Sequence, residues 1–112
     1  MSTSLKNQII KLNLLKIKKI LKKRGFTFVK RKENQDTLQQ LDITTYDVGN
    51  AIFKLTVSDY QKGPEEDLDG SDGNIWAFIH PVLGCKVYIK VKVYKVNEEE
   101  YLKVISFHEP RG

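Results

Sequence analysis

Cysteine is almost absent from this 112-residue chain, and Cys85 alone leaves no intramolecular disulfide to staple the fold. That usage fits a reducing compartment, and a cytoplasmic location is the expectation. Histidine is nearly as scarce: His80 and His108, even taken with Cys85, lack the paired ligand spacing of a zinc site. Long hydrophobic runs are missing too. The apolar stretches are short and many are broken by lysines, so nothing approaches the roughly 20 apolar residues of a membrane span, and no membrane partner is expected. The amino terminus also lacks a continuous apolar segment and a small-residue cleavage site, which argues against a secretory signal. Internal repeats, low-complexity tracts, a phosphate-binding loop, a dinucleotide fingerprint, GxSxG and HExxH do not occur, so nucleotide hydrolysis, hydride transfer and zinc hydrolysis lose motif support and no cofactor is implied.

Acid is the most telling absence. The first 32 residues contain eleven cations, from Lys6 to Lys32, and no Asp or Glu. They outweigh the net acidity of the remainder and give the chain a net charge of +5. Such a balance favours polyanionic partners, with nucleic acid first among them. With 40% hydrophobic and 29% charged residues, the composition is that of a folded protein, and the length suits one domain over residues 1–112.

Apolar spacing at Ile10, Leu14, Ile17 and Leu21 predicts a helix over residues 5–24, closed by Gly25. Residues 26–29 read as a short strand. A helical piece is expected from Thr37 to Leu41 with Asp36 as its cap, and Thr44 with Asp47 forms a capping pair for a helix reaching about Leu55. From Gly63 the chain turns polar, with two early loop formers (Gly63-Pro64) and five acids between Glu65 and Asp72. A solvated loop is the reading there, since Asp67-x-Asp69 lacks the remaining ligands of a calcium loop. Strands then follow at 75–80, 86–96 and 100–107, joined by turns at 81–84 and 97–99. The expected class is α+β, with amino-terminal helices on the aliphatic face of a mostly antiparallel sheet.

The strand at 86–96 is the clearest. Val87, Ile89, Val91 and Val93 alternate with Tyr88, Lys90, Lys92 and Tyr94, so one face is aliphatic and the other carries two phenols and two ammonium groups. If helices cover the first face, the second meets solvent or ligand. Lysines neutralise phosphates and tyrosines offer a stacking surface, a combination suited to single-stranded RNA, while an ordinary solvated sheet face has the same pattern. Trp76 is either a core residue or a stacking platform for a base. His108, following a strand end, is either an ordinary surface residue or a proton carrier, its unperturbed pKa of about 6.5 suiting transfer near neutral pH. The basic first helix has three readings: a core helix with a solvated side, a phosphate-binding surface, or a helix lying on a membrane.

Five blocks in order, Leu55-Thr56-Val57-Ser58-Asp59-Tyr60-Gln61-Lys62-Gly63-Pro64, Asp67-x-Asp69, Trp76-x-Phe78, Val87-Tyr88-Ile89-Lys90-Val91-Lys92 and Ile105-Ser106-Phe107-His108, resemble the MqsR family of bacterial and archaeal toxins. The likeness spans about half the chain. It implies a RelE-like fold and a toxin of a type II toxin–antitoxin pair. It also implies metal-independent cleavage of messenger RNA, through attack of the ribose 2′-hydroxyl on the adjacent phosphate. The implied partners are mRNA and a cognate antitoxin, with operator DNA reached only through the antitoxin. Carried onto this chain, the family's functional lysine falls on Lys62, its strand tyrosine on Tyr88 and its last basic residue on His108. Lys90 joins them through the face shared with Tyr88, and Lys92 and Trp76 are candidate RNA contacts. The best-known branch has glutamine after the tryptophan and lysine at the last position, where this chain has Ala77 and His108, so the catalytic set does not transfer whole. The alternative function is a noncatalytic RNA- or protein-binding module of the same fold.

Overall fold

The computed structural model describes residues 3–111. Helix α1 (Thr3–Arg24) is followed by a two-residue strand β1 (Thr27–Phe28), helix α2 (Lys32–Leu41), helix α3 (Thr45–Phe53) and a single 3-10 turn at Val57–Asp59. Four strands complete the chain: β2 (Tyr60–Glu65), β3 (Asn74–Val82), β4 (Cys85–Val96) and β5 (Glu99–His108). They form one sheet in the order β1-β5-β4-β3-β2, antiparallel throughout except for the parallel pairing of β1 with β5. This is the expected α+β class.

The periodicities explain the layers. On α1, Ile10, Leu14, Ile17, Ile20 and Leu21 are buried against Val48, Ile52 and Leu55 from the α3 region and against the inner sheet face. That inner face is built of Phe78, Val87, Ile89, Val91, Leu102, Val104 and Phe107, each almost wholly excluded from water. Burial of side chains of this size contributes about 1.5–3 kcal/mol each, which makes this layer the main source of stability. Among the described residues, no helix is long and apolar enough to cross a membrane.

Two hairpins set the register. Leu83 and Gly84 join β3 to β4, Asn97 and Glu98 join β4 to β5, and all four have positive φ, as two-residue turns matching strand twist require. Thr44 starts α3 as expected, its N–H donating to Asp47 Oδ2 at 2.9 Å. Several boundaries differ from expectation. Helix α2 begins at Lys32 rather than Thr37, so Asp36 lies inside it, bound to Lys32 one turn back, and does not cap it. Helix α3 stops at Phe53 rather than Leu55. The segment Gly63–Glu65, expected as loop, continues strand β2, because β3 offers it a free edge for pairing. The loop proper is residues 66–73.

Candidate active site

Strand pleating sorts the outer face of the sheet. In register, Tyr88 stands opposite His108 and Lys90 opposite Ser106 on β5, while Ala77 of β3 lies between Lys90 of β4 and Lys62 of β2. Lys62, Tyr88, Lys90 and His108, drawn from three strands, therefore share one face. They line a cavity of about 520 Å³ together with Arg31, Glu33, Ser106 and Arg111. Ala77 is buried between the two lysines.

Two local devices hold this geometry. The first is Gly63, whose φ of +129° is a glycine conformation. A Cβ there would stand 2.8 Å from the Ile75 carbonyl oxygen and 2.9 Å from the Trp76 ring. Glycine thus lets β2 run close over Trp76, and the Tyr60 hydroxyl fixes the turn by donating to the Gly63 carbonyl at 2.6 Å. Lys62, the preceding residue, is held at the rim of the cavity, its ammonium 3.6 Å from Glu65.

The second device is Asn34. Beside Val104, β5 carries an extra residue, Ile105, so that Lys90 pairs with Ser106 but Val91 with Val104. Strand β1 is too short to pair with β5 beyond that bulge. Asn34, fully buried on α2, takes its place: its amide donates to the carbonyls of Ile105 and Val29, each at 2.9 Å, and accepts from the Phe107 N–H at 2.9 Å. One side-chain amide thus stands in for a strand's peptide group and fixes the segment that ends at His108.

The ring of His108 lies 5.6 Å from that of Tyr88, with planes inclined by 35°. Its Nδ1 is 2.8 Å from the carbonyl oxygen of Glu109. A carbonyl only accepts, so Nδ1 carries the hydrogen and Nε2 is the nitrogen free for proton exchange. Glu33 Oε1 lies 3.8 Å from Nε2, and the same carboxylate is paired with Arg111. A fixed tautomer, a phenol, two lysines and two guanidinium groups around one cavity provide proton transfer and several positive charges at one place.

The remaining candidates lie elsewhere. Trp76 is 3% exposed and belongs to the inner face, packed under Tyr60 with ring centroids 6.3 Å apart, so the ring is not available to stack on a base. Its neighbour pairing decides this: Ile75 is registered with Lys92 on the outer face, which turns Trp76 inward. Lys92 is on the outer face but only 4% exposed. Its ammonium donates to Asp67 at 2.8 Å and to Ser71 at 2.5 Å, which removes it from the open surface. Sequence reading missed Glu33 and Arg111 as cavity residues, and Arg31 only stood within a basic run. His80 is bound to Asp59 at 3.0 Å at the inner end of β3, away from His108. No group of residues suited to holding a metal ion occurs among the described residues.

The fold and site define a small α+β protein whose amino-terminal helices cover one sheet face and whose other face carries a cavity lined by lysines, arginines and a histidine. The chain belongs to the family described as motility quorum-sensing regulator, toxin of MqsA, whose model matches residues 10–109 and so takes in both sheet faces. Membership makes it a toxin of a toxin–antitoxin pair, with the antitoxin as its partner. No characterised relative and no solved structure matches the chain.

Proposed function

We propose that this toxin is a metal-independent endoribonuclease that cleaves mRNA, leaving 2′,3′-cyclic phosphate and 5′-hydroxyl ends. The reading rests on one observation, the meeting of Lys62, Tyr88, Lys90 and His108 in a single cavity open to solvent. In such a reaction the 2′-oxygen loses its proton and attacks phosphorus, and the bond to the 5′-oxygen breaks as that oxygen gains a proton. His108 Nε2 is the proton carrier, serving as base toward the 2′-hydroxyl or as acid toward the leaving oxygen. Tyr88 donates its phenol hydrogen to a phosphate oxygen. Lys62 and Lys90 stabilise the charge that develops on the phosphorane; at roughly 5 Å and an effective dielectric near 20, each cation is worth about 3 kcal/mol toward a unit negative charge. Trp76 and Lys92 take no direct part.

The protein works in the cytoplasm within a RelE-like group, and its antitoxin silences it by covering the cationic face; operator DNA is engaged only through that antitoxin. The test is incubation of purified protein with a defined RNA in EDTA, followed by analysis of the end groups. Cyclic phosphate ends should form, and His108→Ala should slow cleavage by about 10²–10⁴-fold without changing the circular dichroism spectrum. Intact RNA, both free and ribosome-bound, would instead leave a noncatalytic binding module.

A further inference from the structure

The cavity over Tyr88 and His108 is one half of a longer groove. A second cavity of about 630 Å³ lies beside it, and Arg31, Lys62 and Lys90 line both. Three cations thus stand on the divide between two compartments. Arg31 has no ion pair among the described residues, and a guanidinium offers two parallel N–H donors of the kind a phosphate accepts.

The two compartments differ in chemistry. The second has an apolar floor on the outer sheet face, Ile75 and Ile105, which are 8% and 9% exposed and lie outside the main core. Ile105 is the extra residue of the β5 bulge, so the irregularity that orients His108 also builds this floor. Its rim carries carboxylates, among them Glu65 and Glu66. Such a rim repels a phosphate, while an aliphatic floor accepts the face of a neutral base. Carboxylates only accept hydrogen bonds, so they favour a base edge that presents an amino group. Glu66 forms no ion pair among the described residues and is free to do this.

We propose that the groove binds two adjacent nucleotides of a single strand. The phosphate joining them sits on Arg31, Lys62 and Lys90, one nucleoside lies over Tyr88 and His108, and the second compartment takes an amino-bearing base in preference to uracil. This deepens the ribonuclease reading and rests on its choice of RNA as ligand.

The test uses 2′-O-methyl dinucleotides, which lack the nucleophile and so report binding without cleavage, titrated into isotope-labelled protein and followed by amide chemical shifts. Dinucleotides should shift residues around Tyr88 and His108 and also those around Ile75 and Ile105, whereas inorganic phosphate should shift only residues near the three cations. Uracil in the second position should weaken binding about tenfold relative to cytosine, and Glu66→Gln, which adds a donor, should erase that difference. Arg31→Gln should weaken all dinucleotides alike, with Arg31→Lys intermediate and the melting temperature checked for both. Shifts confined to the first compartment, equal affinity for uracil and cytosine, or no binding would overturn the proposal. If the dinucleotides bind as expected while unmodified RNA stays intact, the groove stands and the ribonuclease reading falls.

Discussion

The outer face of β4 reads Tyr88, Lys90, Lys92, Tyr94, the same two residue types in mirror order, yet its two ends have opposite fates. At one end Tyr88 faces His108 and Lys90 opens on the cavity. At the other, Tyr94 is stacked on Tyr101 at 5.9 Å with the Lys103 ammonium over its ring, and Lys92 is buried beneath Asp67 and Ser71. The difference comes from what crosses the sheet. The acidic loop after β2 folds over Lys92, whereas next to Lys90 the neighbouring position is the small Ala77. Identical chemistry along a strand leaves an accessible lysine only where nothing crosses the sheet to bury and neutralise it.

Exchanging the roles of the two lysines tests this most severely. Lys90→Met should reduce RNA cleavage by about 10²–10³-fold, the usual effect of removing one stabilising group from a developing oxyanion, with an unchanged melting temperature. Lys92→Met should do the reverse: cleavage nearly retained, and melting lowered by a few degrees because Asp67 loses its partner. Equal activity losses in both variants, read in one cleavage assay alongside thermal melts, would end the distinction between the two ends.

A second break is at Asn34, which supports only the open end. Asn34→Ala leaves the Phe107 N–H and the Ile105 carbonyl without their partner, and unsatisfied buried groups of this kind cost about 1–3 kcal/mol each. A loss of about 3 kcal/mol by chemical denaturation is expected. Activity measured well below the melting transition should also fall, because the segment carrying His108 is no longer held. Gly63→Ala comes next, at about 2 kcal/mol, since the added methyl meets backbone and the φ is unfavourable for alanine. It should also displace Lys62, so cleavage should suffer while the Lys92 end stays intact.

Local pattern reached one layer of this structure well. The apolar spacing of α1 and the strict alternation of β4 each point to a buried face, and that face is where the core lies. Lys62, Tyr88, Lys90 and His108 were nameable from sequence and do come together. Trp76 was not resolvable, because Ile75-Trp76-Ala77-Phe78-Ile79 is apolar throughout and offers no alternation; only the pairing of β3 with β4 turns the indole inward. Lys92 carries the same local pattern as Lys90, and its burial depends on a loop 21 to 25 residues away in sequence. The bulge at Ile105, and the use of Asn34 to bridge it, arise from contacts across 71 to 73 residues and leave no trace in either segment. Short-range signals specify faces, and the assembly of the site is long-range.

The gentlest probe of the closed end is acid. The hydrogen bond from Lys92, followed by that from the Asp69 N–H, holds the Asp67 carboxyl below its ordinary range, and Ser71 does the same for Asp69. A carboxylate whose folded-state pKa is depressed binds its proton less tightly in the folded chain than in the unfolded one. Its contribution to stability is therefore complete above the unfolded value of about 3.9 and disappears as pH falls through the lowered folded value. Asp67→Asn removes this titration and keeps an acceptor for Lys92. The wild type should melt slightly higher than Asp67→Asn at pH 6, and the gap should close as pH drops below about 4. Because Asp67 faces solvent, the gap should also shrink in high salt. A gap independent of both pH and salt would mean that the loop is held over Lys92 by packing and not by charge, and the contrast between the two ends of β4 would then need a different cause.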